Sequence, residues 1–296
     1  MRYAAIDIGS NAVRLLIADI IRNDGVVSFK KNTLVRVPLR LGDDAFIDRH
    51  ISATKSDDLV KTMVAFRNLM DVYKVTDYMA CATSAMREAD NGPLLLEKIS
   101  NAGIHLQIIN GSEEARIIYS SHIEQHLNNN KAYLYIDVGG GSTELSVFAN
   151  NELIASESFN IGTIRILDNQ DSEETWNEMR TWVKKHTKSF KAVYGIGTGG
   201  NINKLSRLAN NNKDDKPISF AKLKSLYEYL SSFSLKDRIN VLELNHDRAD
   251  VIIPACEIFL TLMKYGHLRQ VIVPRVGLVD GIIQTLIEKN TPQPSW

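Results

Sequence analysis

The sequence predicts an α/β protein built from two related domains, and three observations carry that expectation. Short β-rich runs alternate with helical patterns from end to end, as in sheets flanked by helices. The 296 residues suffice for two domains of about 150 residues, each with its own core. An internal echo joins the halves: adding 130 to the numbers of Tyr3, Ile6, Asp7, Gly9 and Leu15 gives Tyr133, Ile136, Asp137, Gly139 and Leu145. Apolar strand, Asp, Gly turn and apolar strand therefore occur twice, each time at the start of a domain-sized stretch.

The elements follow in order. Residues 3 to 7 (YAAID) and 13 to 20 (VRLLIADI) read as an antiparallel strand pair joined by Ile8-Gly9-Ser10-Asn11-Ala12. Leu59, Met63, Phe66, Met70 and Tyr73 recur every three or four residues, which predicts an amphipathic helix with Ser56 as a cap. Strands DYMACAT (77 to 83) and IHLQII (104 to 109) follow with a short helix between them, and Ser112-Glu113-Glu114 opens another helix.

Residues 133 to 137 (YLYID) and 143 to 148 (TELSVF) repeat the strand, turn, strand unit around Val138-Gly139-Gly140-Gly141-Ser142. A helix at about 172 to 188, a strand ending at Ile196, a helix after Gly200 and further helices complete the chain. Asn210 to Pro217 (NNNKDDKP) is turn-rich and reads as a surface loop. Leu278, Ile282, Leu286 and Lys289 form the stripe of a docking helix at about 278 to 289.

Composition narrows the class. Lys and Arg total 35 and Asp and Glu 35, so no net field draws the protein onto nucleic acid or an anionic membrane. An anionic ligand must be met by a local site. Cys81 and Cys256 stand singly in apolar stretches, as buried free thiols in a reducing cytoplasm would. The longest apolar run, Val251 to Met263, is broken by Pro254 and Glu257, and Asp7 interrupts any leader core. The expectation is a cytoplasmic protein with no nucleic-acid or membrane partner.

Among the chemistry-bearing segments, Asp137-Val138-Gly139-Gly140-Gly141-Ser142-Thr143-Glu144 carries most. Three glycines at a strand end let amide donors approach an anion, and the hydroxyls of Ser142 and Thr143 add donors. Asp137 and Glu144 flank this cradle and could hold a hard cation such as Mg²⁺; the bland alternative is a glycine-rich hairpin with solvated carboxylates. Asp7-Ile8-Gly9-Ser10-Asn11 is the weaker facing cradle, with Ser10 and Asn11 as its donors.

Gly195, Gly197 and Gly200 satisfy a dinucleotide fingerprint, but no acidic residue ends a second strand about 20 residues on. Gly195 to Asn201 is read instead as a loop touching phosphate or a nucleoside, through Gly197, Thr198 and Gly199. Glu113 and Glu114 favour the helix dipole, and either could position an attacking water. Arg87 offers a bidentate fork to phosphate, against a surface ion pair with Glu88 or Asp90.

Lys184, Lys185, Lys188 and Lys191 share roughly one helical face, solvated by default. His122 and His126 stand four apart but lack the zinc-protease order.

Together DIGSN (7 to 11), TSAMRE (83 to 88), NGSEEAR (110 to 116), DVGGGSTE (137 to 144) and GIGTGGN (195 to 201) resemble the exopolyphosphatase and guanosine pentaphosphate phosphohydrolase (Ppx/GppA) family in order and spacing. The resemblance covers nearly the whole chain. It implies two duplicated ribonuclease-H-like domains of the actin-like ATPase superfamily around an interdomain cleft, at 1–124 and 125–277, with a C-terminal helix about 278–296 packing back on the first. It further implies Glu114 as catalytic base and Arg87, Asp137 and Glu144 as catalytic partners. Gly139, Gly140, Gly141, Ser142, Thr143 and Asn11 become phosphate ligands, and Asp137 and Glu144 hold magnesium.

The substrate implied is inorganic polyphosphate, guanosine pentaphosphate or both, and a homodimer is left open. Ala12 stands where the family often has Ser, and Gly277-Leu278-Val279-Asp280-Gly281 departs from a GLREG-like segment at Val279 and Asp280. A short form is implied, so long-chain processivity tied to a further helical region is not expected to transfer. Two rivals remain open: an actin-like ATPase or kinase, and a non-catalytic polyphosphate or alarmone sensor.

Overall fold

A computed structural model describes residues 1–23, 26–120, 131–150, 152–210 and 216–291. The chain divides into two compact units, Met1–His122 with Val276–Trp296, and Ile123–Arg275.

In the first unit, β1 (Arg2–Ile8), β2 (Val13–Asn23) and β3 (Val26–Val37) form an antiparallel meander. After α1 (Leu41–Ala45) and α2 (Ala53–Val72), β4 (Asp77–Ala82) pairs parallel to β1. Then α3 (Ser84–Glu88) and α4 (Gly92–Asn101) lead to β5 (Leu106–Ile108), which pairs parallel to β4, and α5 (Gly111–Tyr119) follows. The sheet order is β3-β2-β1-β4-β5. The C-terminal helix, Leu278–Asn290, buries Leu278, Ile282, Ile283 and Leu286 among Tyr3, Leu16, Cys81 and Ile117.

The second unit repeats the plan with β6 (Ala132–Val138), β7 (Thr143–Ala149) and β8 (Glu152–Phe159), then α6 (Thr163–Leu167) and α7 (Glu173–Thr187). Next come β9 (Val193–Thr198), α8 (Gly200–Ala209), β10 (Ile218–Ser219), α9 (Phe220–Ser231), α10 (Leu235–Asn240), α11 (His246–Ala249), α12 (Ile252–Tyr265) and β11 (Gln270–Ile272). The order is β10-β11-β9-β6-β7-β8, and Met179, Ile202, Phe259 and Leu262 pack with Leu134 and Ile136 of the sheet.

The echo is carried in the register. Ile6 stands opposite Leu15 as Ile136 stands opposite Leu145. The β2–β3 ladder slips between Ile17 and Ala18, and the β7–β8 ladder slips between Val147 and Phe148, the same step displaced by 130 residues. A bulge bends a strand and increases its twist, so both meanders curl at equivalent points.

Several local expectations are corrected. α2 starts at Ala53 with Ser52 as its cap, accepting from the Lys55 amide, while Ser56 is buried inside the helix. Two helices, α3 and α4, lie between β4 and β5. β9 runs on through Thr198, so Gly195 to Thr198 are strand and the turn is confined to Gly199. α7 ends at Thr187, leaving Lys191 outside the helix that carries Lys184 and Lys185. The His122 and His126 pair lies outside the described residues, as does most of the Asn210 to Pro217 loop.

Candidate functional site

Each unit presents a turn at the same end of its sheet, where β1 and β4, or β6 and β9, finish. In the second unit β6 ends in Asp137-Val138 and the chain turns through Gly139 to Ser142 into β7. The turn closes with the Gly139 amide donating to the Ser142 carbonyl at 2.9 Å. Asp137 is thereby set opposite Glu144, with a carboxylate oxygen of each within 4.8 Å of the other.

Glu144 is buried and held: its Oε1 accepts from Ser142 Oγ at 2.6 Å and from Ser158 Oγ at 3.0 Å. Two facing carboxylates repel unless a cation lies near, and hard oxygen donors of this kind suit Mg²⁺. Thr143 is fully buried and donates to the Ile161 carbonyl at 2.6 Å, so its hydroxyl serves the fold of the loop.

From the neighbouring strand, Thr198 stands in register with Asp137. Gly199 follows at φ +95°, a conformation that side chains rarely adopt, and a Cβ there would lie 2.8 Å from Asp137 Oδ1. Gly197 is explained otherwise: a Cβ would press into Ile202 and Val271 at 2.9 Å, so its missing side chain makes room for core packing.

In the first unit the equivalent turn closes with the Gly9 amide on the Ala12 carbonyl at 3.2 Å. Ser10 and Asn11 are buried in it, and Ser10 Oγ shares a 2.9 Å hydrogen bond with Ser84 Oγ at the start of α3. The position opposite Asp7 holds Arg14, which ion-pairs with it. The two turns therefore differ at one position: Asp7 stands opposite Arg14, and Asp137 stands opposite Glu144.

α5 presents Glu114 in its first turn, where its charge favours the helix dipole. Asn110 caps the helix, its side chain accepting from the Glu113 amide at 2.9 Å. Glu114 is 9% exposed, which is uncommon for a carboxylate. Arg87 on α3 donates through Nη1 to the Ile109 carbonyl at 2.8 Å, just before that cap. Asp90 pairs instead with Arg49 at 3.1 Å, and among the described residues Arg87 forms no salt bridge.

Cys81, in register with Asp7 on β4, feels these acids. Burial, with the charges of Asp7, Glu113 and Glu114, pushes its thiol up to about 12.

Two arginines beside the turn of the second unit escaped sequence reasoning. Arg248 on α11 hydrogen-bonds Asn201 Oδ1, and its guanidinium fills the space beside Gly200. Arg165 on α6 is buried and donates Nε to the Gly141 carbonyl at 2.6 Å. Arg165 lies outside the glycine-rich motifs and Arg248 stands between Asp247 and Asp250, so neither carries a local signal of a site.

A family model, the Ppx/GppA phosphatase family, matches residues 35–290. The chain belongs to this family. A bifunctional 3-dehydroquinate synthase/phosphatase of Fusobacterium nucleatum is 27% identical over 97% of this chain, which spans only 47% of that protein. A putative exopolyphosphatase of Haemophilus influenzae is 24% identical, covering 97% of this chain and 91% of its own length. The crystal structure of an exopolyphosphatase from Cytophaga hutchinsonii superposes with a TM-score of 0.84 at 22% identity, covering 98% of this chain and 99% of that one. At that identity the likeness carries the fold, which in Ppx/GppA proteins is the duplicated ribonuclease-H-like, actin-like ATPase architecture. Both turns belong to that duplication: each is the first strand turn of its unit.

Proposed function

We propose that the protein is a Mg²⁺-dependent phosphohydrolase that releases terminal orthophosphate from inorganic polyphosphate, guanosine pentaphosphate, or both. The observation that supports this most is the turn of the second unit: a glycine turn closing on itself beside two carboxylates near enough to share a cation. The name of the Haemophilus relative points to polyphosphate, and the family's name points to both substrates.

In the mechanism proposed, the substrate's terminal phosphate sits at the glycine turn of the second unit. The amides of Gly140, Gly141 and Ser142 hold the terminal phosphoryl group, with Ser10, Asn11, Thr198 and Gly199 completing the cradle. Glu114 accepts a proton from a water and aims it at phosphorus in line with the departing phosphate. Arg87 spreads the charge that develops on the phosphoryl oxygens.

Asp137 and Glu144 would hold the magnesium, which when bound supplies Lewis acidity at the phosphoryl oxygens. Positioning contributes more than basicity here, because a phosphate leaving group needs little push. No membrane or nucleic-acid partner enters this reading, and no described helix is long and apolar enough to cross a membrane.

The test is phosphate release with Mg²⁺ from polyphosphate, guanosine pentaphosphate and ATP. Release from either of the first two supports the proposal. Transfer from ATP to an acceptor would replace it with a kinase, and tight binding without release would replace it with a sensor.

A further inference from the structure

We propose that Arg165 is a positioning residue that sets the direction of the phosphate-loop amides; this rests on reading Gly139 to Ser142 as the anion site. In a trans peptide plane the carbonyl of one residue and the amide of the next point opposite ways. Whatever holds the glycine carbonyls therefore decides where the amides aim.

All three carbonyls are held by the first turn of α6. The Gly139 carbonyl accepts from the Thr163 amide at 3.1 Å, and the Gly140 carbonyl from the amides of Ile164 at 2.8 Å and Arg165 at 3.3 Å. The Gly141 carbonyl lies beyond these bonds and accepts from Arg165 Nε at 2.6 Å. The amides of Gly140, Gly141 and Ser142 are thus turned together away from α6. Among the described residues none of the three donates to a backbone carbonyl.

The first unit shows what the arginine adds. There the Asn11 carbonyl accepts from the Arg40 amide at 3.0 Å and the Ser10 carbonyl from the Gly42 amide at 2.9 Å, so the start of α1 does the same work with backbone alone. By the 130-residue offset Gly141 corresponds to Asn11, so the carbonyl that the first unit holds with the Arg40 amide is held in the second by the Arg165 side chain. Gly162 permits the approach: a Cβ at 162 would lie 2.3 Å from the Gly140 carbonyl oxygen. Arg165 is 6% exposed, so its guanidinium is enclosed under the loop.

The experiment compares wild type with Arg165→Met and Arg165→Lys by orthophosphate titration, reading amide shifts of Gly140, Gly141 and Ser142 beside steady-state kinetics and thermal melting. Folded Arg165→Met should bind orthophosphate and turn over substrate at least about a hundredfold more weakly, as when one preorganised donor is lost. Arg165→Lys, which keeps the charge, should recover about tenfold of this. Should Arg165→Met fail to fold, Arg165→Lys carries the test, with about tenfold weaker phosphate binding expected.

Wild-type phosphate affinity and amide shifts in a folded variant, whatever its melting temperature, would overturn the proposal. Wild type that binds phosphate at these amides but releases none from either substrate would sink the proposed function and leave the positioning role standing.

Discussion

Gly281→Ala tests whether the C-terminal helix sets the position of α5. A Cβ at 281 would fall 1.8 Å from the Ile117 carbonyl oxygen and 2.5 Å from its carbon, both backbone atoms that cannot rotate aside. Ordinary contact lies near 3.5 Å, so the helices must separate by roughly 1.5 Å. Overpacking of this kind costs about 1–3 kcal/mol, and here the separation also loosens Ile282, Ile283 and Leu286 from Ile117 and Ile118. At about 2–4 °C per kcal/mol, melting of the first unit should fall by roughly 6–12 °C at the upper end of that cost. Ile117 follows Glu114 by three residues on α5, so the shift also moves the proposed base, and phosphate release should fall beyond the loss of folded protein. Scanning calorimetry and turnover per folded molecule supply both readings. A melting temperature within about 1 °C of wild type would refute the packing argument.

Further predictions follow from the charges. Burial pushes both Cys81 and Cys256 up to about 12, so neither should react with iodoacetamide at about pH 8 in the native protein, and both should after unfolding. Burial also raises the Asp280 carboxyl, although Lys31 lies 2.6 Å away and the Gly277 amide bonds it. The folded state then holds this proton more tightly than the unfolded chain, so the group's stabilisation is full below the unfolded pKa and is lost as pH rises through the folded value. The melting difference between Asp280→Asn and wild type should therefore move in favour of the variant from about pH 3 to about pH 7. Asp137→Asn and Glu144→Gln should each raise the Mg²⁺ concentration for half-maximal activity at least about tenfold, whereas Asp7→Asn should not, because Arg14 already serves Asp7.

What was legible in the sequence was local. Tyr3 to Leu15 and Tyr133 to Leu145 show both strand turns because alternation and glycine are written within a few residues. The third strands were not named: β3 and β8 are edge strands, paired on one side, and exposed positions in VVSFKKNTLVRV and ELIASESF blur the pattern.

Gly195 and Gly197 looked like loop glycines, and only the pressure of Leu268, Val271 and Phe259 reveals them as strand residues making room for a core. Arg165 acts on a carbonyl 24 residues away, and such long-range bonds leave no periodicity to read. The Ser52 cap was displaced to Ser56 because both serines precede the same apolar stripe, one turn apart.

The central claim is tested most directly by phosphate release from polyphosphate and guanosine pentaphosphate, with Mg²⁺, by wild type and Glu114→Gln side by side. Release by wild type, at least about a hundredfold slower in the variant with substrate binding retained, is the predicted result. Equal release by both proteins would contradict the account.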